Sequence, residues 1–178
     1  MLAALRGVDE PGRVKKITRL FGGLTAGALA YGRADAIVDG GAVVGASLSY
    51  PPGAYPLSTI GWLRSGLPAV TLGLGHTLRF MRIDSWMRKR HHHDPHWYLA
   101  VLGVEPAYKG RGLGGRLLRA LSARADADGM PCYLETDEPE NVGLYQHHGY
   151  DVLSEGTPLP GTNMWLMLRP VQRSRSTV

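Results

Sequence analysis

The sequence predicts an α/β (α+β) fold, and three observations carry that prediction. Two short strand-like runs meet at an Asp-Gly-Gly turn, Asp39 to Gly41. A continuous apolar and aromatic run, His96 to Val104, is followed by a helix with a single apolar stripe. Two further strand-like runs follow residue 150.

The elements follow in chain order. From Arg13 to about Ala30, Val14, Ile17, Leu20 and Phe21 recur at helical spacing, with Leu24 and Leu29 beyond them. The spacing predicts a helix, although Gly22-Gly23 and Gly27 weaken its second half. Ala34–Val38 and Ala42–Ser49 form the predicted hairpin, and Tyr50-Pro51-Pro52-Gly53 ends its second strand. Trp62 and Leu63 suggest a short helix stopped by Gly66 or Pro68. A second helix is expected from about Ala69 to Arg90, with Val70, Leu74, Leu78, Met81 and Met87 inside it. Trp62, Phe80, Met81 and Trp86 read as core packing.

His91-His92-His93-Asp94 has metal-ligating residue types. Consecutive side chains diverge, and no second cluster with ligand spacing follows, so a polar loop without a metal is expected. After the central strand, Glu105 to Tyr108 is a turn. Leu113, Leu117, Leu118, Leu121 and Ala125 make one helical stripe that Asp128-Gly129 closes. Pro131–Leu134 reads as a buried strand, and Glu140–His148 as a short helix ending at Gly149. Tyr150–Leu153 and Met164–Leu168 read as strands linked by a turn-rich segment from Gly156 to Gly161. With no internal repeat and no linker, one domain is expected over residues 1–170, with 171–178 as a basic flexible tail.

Composition narrows the function classes. The 178 residues include 20 Lys and Arg against 15 Asp and Glu, a net charge of +5 that favours anionic partners. The aromatic residues lie in apolar runs and do not interleave with Lys and Arg, which argues against a nucleic-acid stacking platform. The longest uncharged stretch, Gly40 to Leu63, carries three prolines, so no membrane span is expected. The single cysteine, Cys132, excludes an internal disulfide and a Cys-rich zinc module. The first charge comes too early for a signal-peptide apolar core, so the cytoplasm is the expected compartment.

The strongest chemical signal is Lys109-Gly110-Arg111-Gly112-Leu113-Gly114-Gly115, between a buried strand and an amphipathic helix. A glycine-rich turn at a helix start leaves backbone N–H groups unpaired and pointing one way, which suits phosphate oxygens. A Walker loop would need Ser or Thr after Gly-Lys, and Gly110 is followed by Arg111. Gly110, Gly112 and Gly115 match the spacing of a dinucleotide fingerprint, but the loop lies late in the chain, after a long strand. An acyl-CoA pyrophosphate loop of the form basic-x-x-Gly-x-Gly fits Lys109, Gly112 and Gly114.

Residues 96–168 resemble the GNAT superfamily of N-acetyltransferases. The segment from Val104 through Gly115 to Leu118 resembles its coenzyme-binding motif, and Asn141 through Tyr145 to Tyr150 resembles its second motif. His96-Trp97-Tyr98-Leu99 and Tyr133-Leu134-Glu135-Thr136 are most similar to the puromycin N-acetyltransferase type. The resemblance implies a central mixed, mostly antiparallel sheet flanked by helices. Only about 33 residues precede the hairpin, so the family's first strand is expected to be missing or rebuilt. It implies acetyl-CoA as co-substrate, a small-molecule amine as acceptor, direct attack on the thioester and, commonly, a homodimer. A non-catalytic acyl-CoA-binding protein or inactive paralogue is the alternative.

The resemblance also implies roles for individual residues. Leu102-Gly103-Val104 would turn away from the neighbouring strand and offer main-chain groups to the acetyl-pantetheine arm, with the Val104 N–H on the thioester oxygen. Tyr145 matches the family's usual acid, and a phenol suits protonation of a leaving thiolate; packing under the pantetheine is its other reading. Asn141 would cap its helix or bond the cofactor arm. Glu135 is the first candidate for the base, ahead of His96 and His148, and an amine arriving neutral would need none.

Overall fold

The structure, a computed structural model, describes residues 10–54 and 74–172. The described elements run α1 (Glu10–Tyr31), β1 (Arg33–Asp39), β2 (Ala42–Tyr50), α2 (Leu74–Arg88), β3 (Trp97–Val104), a 3-10 turn (Pro106–Tyr108), α3 (Leu113–Ala127), β4 (Cys132–Thr136), α4 (Pro139–His147), β5 (Asp151–Leu159) and β6 (Thr162–Arg169). The strands form one six-stranded sheet in the order β1-β2-β3-β4-β6-β5. Only β3 and β4 run parallel, joined through α3; the other neighbours are antiparallel. The architecture is therefore the mixed, mostly antiparallel sheet flanked by helices that the sequence implied. No strand precedes the first hairpin among the described residues.

Two apolar clusters cover the two faces of the sheet. On one face Ala28 of α1 and Ile83 of α2 pack with Leu48, Tyr50, Tyr98, Tyr133 and Leu166. On the other, Leu118, Leu121 and Ala125 of α3 and Tyr145 of α4 pack with Trp97, Leu99, Leu134 and Met167. Neighbouring residues of β3 and β4 alternate between these clusters, as a strand buried on both faces requires. The stripe of α3 read from the sequence is the buried stripe, except that Leu113 is half-buried. The β1–β2 turn places Gly40 and Gly41 at φ +56 and +83, which suits a tight hairpin whose two central residues are left-handed.

Long-range charge pairs tie the layers together. Arg124 of α3 makes two bonds to Asp35 of β1, at 3.0 and 3.2 Å. Arg169 of β6 makes two to Asp126 of α3, at 2.7 and 2.8 Å.

Two expectations change. Leu78 and Met81, expected inside, are 54% and 58% exposed, while Ile83 is buried and Trp86 half-buried. The helix turns its Ile83 face to the sheet, because that face meets β5 and the Tyr133 cluster. The segment from Gly156 to Leu159, expected as a turn, continues β5 and pairs with β6, so only Pro160 and Gly161 turn. Cross-strand pairing there overrides local turn propensity. The helix expected at Trp62 and Leu63, the position Val70 and tail residues 173–178 lie outside the described residues. Among the described residues, no helix is long and apolar enough to cross a membrane.

Candidate active site

The site begins with a defect in the sheet. Leu48 of β2 pairs with Val101 and Ser49 with Leu99, so Ala100 is an extra residue on β3. A bulge of this kind bends its strand. Pairing of β3 with β4 stops at the same level: Leu99 opposite Leu134 is the last pair, and Ala100 to Val104 run on without β4. The separation expected at Leu102-Gly103-Val104 is therefore present, and it opens a gap in the middle of the sheet.

The gap leads into a cleft of about 590 Å³. Leu102, Gly103 and Val104 form one wall; Lys109, Gly110, Gly112, Leu113, Gly114 and Gly115 form the loop side; Asn141 and Tyr145 of α4 close it. Of the loop residues expected to hold cofactor, only Arg111 is off the lining, its guanidinium lying 4.6 Å over the Tyr108 ring. Pro106, Tyr108 and Leu144 also line the cleft and were not anticipated. Tyr108 immediately precedes the glycine loop, and an aromatic beside a basic residue is the signal that marks it in the sequence.

The loop geometry fits a diphosphate. Gly110 and Gly112 sit at φ +81 and +72, and Gly112 is the N-cap of α3 with no side-chain cap bond. The first bond spanning the helix start is Arg116 N–H to the Gly112 carbonyl, at 3.1 Å. The amides of Leu113, Gly114 and Gly115 precede it and are the orphan donors of the first turn. A Cβ added at Gly112 would meet nothing within 4 Å, so the space over the loop is open. A Cβ at Gly115 would instead lie 2.8 Å from Nε2 of His148, whose ring packs under the loop. Burial, with His147 and Arg119 nearby, lowers the pKa of His148.

Tyr145 is 7% exposed and sits between the cleft and the α3/α4 core, its ring edge-on to Tyr150. Burial pushes its phenol up to about 12. Asn141 donates its backbone N–H to the Glu138 carbonyl, and Glu138, not Asn141, holds the N-cap position of α4. The Asn141 side chain lines the cleft.

Glu135 is not part of this cleft lining. It follows the last residue of β4 that pairs with β3 and turns to the opposite face, where its side chain is 5% exposed. Tyr98 donates to one carboxylate oxygen at 3.0 Å, and Tyr133 to the other at 3.0 Å. Nδ1 of His91 lies 3.3 Å from that second oxygen. The expected polar loop thus folds onto Glu135: the His91 ring is edge-on to Tyr133 at 4.6 Å and lies 5.0 Å from the His96 ring. His96 is bonded at Nδ1 to the Asp94 carbonyl at 2.7 Å, and burial lowers its pKa, with that bond and Glu135 opposing and the neighbouring His91 and His92 adding to the fall. Among the described residues, no group of three or more His, Cys, Asp and Glu is arranged to hold a metal ion.

Residues 73–150 match the model of the acetyltransferase (GNAT) family. An uncharacterized N-acetyltransferase of Schizosaccharomyces pombe is 33% identical over 57 residues, 32% of this chain and 23% of that protein. A probable serine/threonine-protein kinase of Dictyostelium discoideum is 30% identical over 60 residues, 34% of this chain and 8% of that protein. The chain thus spans less than a quarter of the length of these curated relatives. Among solved structures, one described as histone acetyltransferase HPA2 and related acetyltransferase, from Corynebacterium glutamicum, is similar at a TM-score of 0.63 and 24% identity, over 94% of this chain and 80% of that one. Chaetomium thermophilum Naa20, in complex with a bisubstrate analogue, is similar at 0.52 and 16%, over 80% and 69%. The match to the acetyltransferase (GNAT) family falls on the segment that builds the gap, the glycine loop and α4, and the structural likeness extends the same fold to the rest of the described chain.

Proposed function

We propose that this chain transfers an acetyl group from acetyl-CoA to a primary amine by direct attack on the thioester. The observation that carries the reading is the gap between β3 and β4, which opens onto the cleft lined by the glycine loop and Tyr145. A diphosphate bound at the amides of residues 113–115 would direct its pantetheine arm along Leu102 to Val104, where β3 has lost its β4 neighbour and keeps β2. Lys109 lends charge beside that loop, as Arg111 does from its place on Tyr108. The thioester carbonyl would then lie at the gap, with the Val104 N–H as the donor to its developing oxyanion. One such donor is worth about 3 kcal/mol at the transition state.

Proton handling is divided between the two faces of the sheet. Tyr145, kept protonated by burial, is the donor to the departing thiolate. The desolvation that raises the phenol also raises the thiolate it must protonate. Glu135 is the base that takes a proton from the incoming ammonium. Its three neighbours hold the carboxylate in one orientation, as a positioned base requires. The acceptor is taken to be a small-molecule amine, in keeping with the sequence motifs around His96 and Tyr133.

Release of free CoA, screened over small amines, polyamines, aminoglycosides and peptide N-termini, tests the reading. Turnover with one of these classes is expected, and the first three would assign a small-molecule acceptor. Turnover confined to peptides would move the acceptor to a protein. Acetyl-CoA binding with no turnover across the panel would leave a non-catalytic binder.

A further inference from the structure

Acetylation of an ammonium releases a proton: RNH3+ and the thioester become the amide, the free thiol and H+. The N–C bond forms and the C–S bond breaks, and one nitrogen proton ends on sulfur. A second stays on the amide nitrogen, and the third must leave the protein each turnover. Glu135, the group proposed to receive it, is 5% exposed and enclosed by Tyr98 and Tyr133. A buried base that cannot pass its proton on works only once.

We propose that His91 is the relay through which that proton leaves, handing it from Glu135 to His96 at the surface of a second pocket. The inference rests on the acetyl-transfer reading above. Nδ1 of His91 is 3.3 Å from Glu135 Oε1, and side-chain exposure rises from 5% at Glu135 to 16% at His91. The His91 and His96 rings are 5.0 Å apart. His96 donates from Nδ1 to the Asp94 carbonyl, which fixes the tautomer with Nε2 as the acceptor. Both histidines line a separate cavity of about 300 Å³ with Pro51, Gly53 and Tyr98, away from the glycine loop. His92 joins the same rim, 3.9 Å from the exposed Asp94 carboxylate.

The groups facing His91 are Glu135 and Tyr133 from β4, Tyr98 from β3, and His92 and His96 from its own loop. Glu135 lies on the inner side of His91, and His92 and His96 lie toward the pocket rim. Burial and the neighbouring imidazoles also keep His96 neutral, so it takes a proton only transiently. In this relay the proton passes along the line Glu135, His91, His96, which frees Glu135 for the next turnover.

The test uses the full chain with an acceptor from the CoA-release panel. His91→Gln keeps a side-chain amide donor for Glu135 but carries no proton. It is expected to lower kcat tenfold or more with the KM for acetyl-CoA unchanged. In His91→Ala, added imidazole is expected to restore kcat in proportion to its concentration. A wild-type kcat in both variants overturns the relay. A loss that imidazole does not repair, with a lowered melting temperature, also overturns it and assigns His91 to packing. Glu135→Gln separates the two levels. A wild-type rate there removes Glu135 as base and the relay with it, whereas a loss in Glu135→Gln beside unaffected His91 variants removes the relay alone. Absence of turnover with every amine, despite acetyl-CoA binding, would overturn the parent reading and therefore the relay.

Discussion

Glu135 and Tyr145 approach the β3–β4 gap from opposite faces of the sheet. Glu135 belongs with Tyr98 and Tyr133 on the α1/α2 side, and Tyr145 packs with Leu118 and Leu134 on the α3/α4 side. The sheet separates the two groups everywhere except where Ala100 bulges and pairing ends. A thioester lying in that opening would bring the proposed base on one face and the proposed acid on the other to one reaction centre.

Removing the acid tests this division. Tyr145→Phe is expected to lower kcat about 100-fold while acetyl-CoA affinity, measured by calorimetry, stays within a factor of about three. The pH dependence has a definite sign. The phenol donates only while protonated, and burial pushes it up to about 12. Donation is lost as pH rises through that value, so no alkaline decline from this group is expected below about pH 11. A wild-type kcat in the phenylalanine variant would reduce Tyr145 to a packing residue.

The loop makes a second prediction. Gly112 holds φ +72 at the start of α3, whereas Gly114 has no positive φ and only Leu102, Leu144 and Val104 side-chain atoms at 3.9 Å. Gly112→Val forces a branched side chain into a left-handed conformation, at a cost of about 1–2 kcal/mol, and places it over the amides. Gly114→Val adds bulk without that strain. Both are expected to weaken acetyl-CoA binding at least tenfold, but only the first to lower the melting temperature clearly. Undiminished affinity in both variants would remove the loop from coenzyme binding.

The Arg169–Asp126 pair makes a prediction about stability. Arg169 is 4% exposed, and Asp126 also accepts the Gln172 backbone N–H at 2.8 Å. The Arg169 guanidinium, with that amide, holds the Asp126 carboxyl below its usual range. A depressed carboxylate stabilises the fold above the unfolded value, near 4, and loses that contribution as pH falls through the lower folded value. Asp126→Asn leaves a buried guanidinium without its counter-charge and is expected to cost about 2–3 kcal/mol, roughly 5–10 °C in melting temperature at pH 7. The difference from wild type should shrink as pH falls below about 4, and a pH-independent gap would show that the pair's charge is immaterial.

The sequence by itself determined most of the element types and the glycine loop at the start of α3. Both are local: the stripe of α3 is a period, and the glycines from 110 to 115 constrain their own backbone. It also placed Tyr145 on the helix after β4, because α4 is bounded by Pro139 and Gly149. Tertiary structure decided what lies beside what. Sheet register put the β3 bulge at Ala100, where β4 departs, and nothing in an apolar run marks its extra residue. The face α2 presents depends on β5 packed beneath it, so exposed Leu78 and buried Ile83 were not legible from spacing. His91 and Glu135 meet across 44 residues, through a loop whose histidines look interchangeable in the sequence. Contacts between distant segments are set by pairing and packing of whole elements, which the identity of neighbouring residues does not encode.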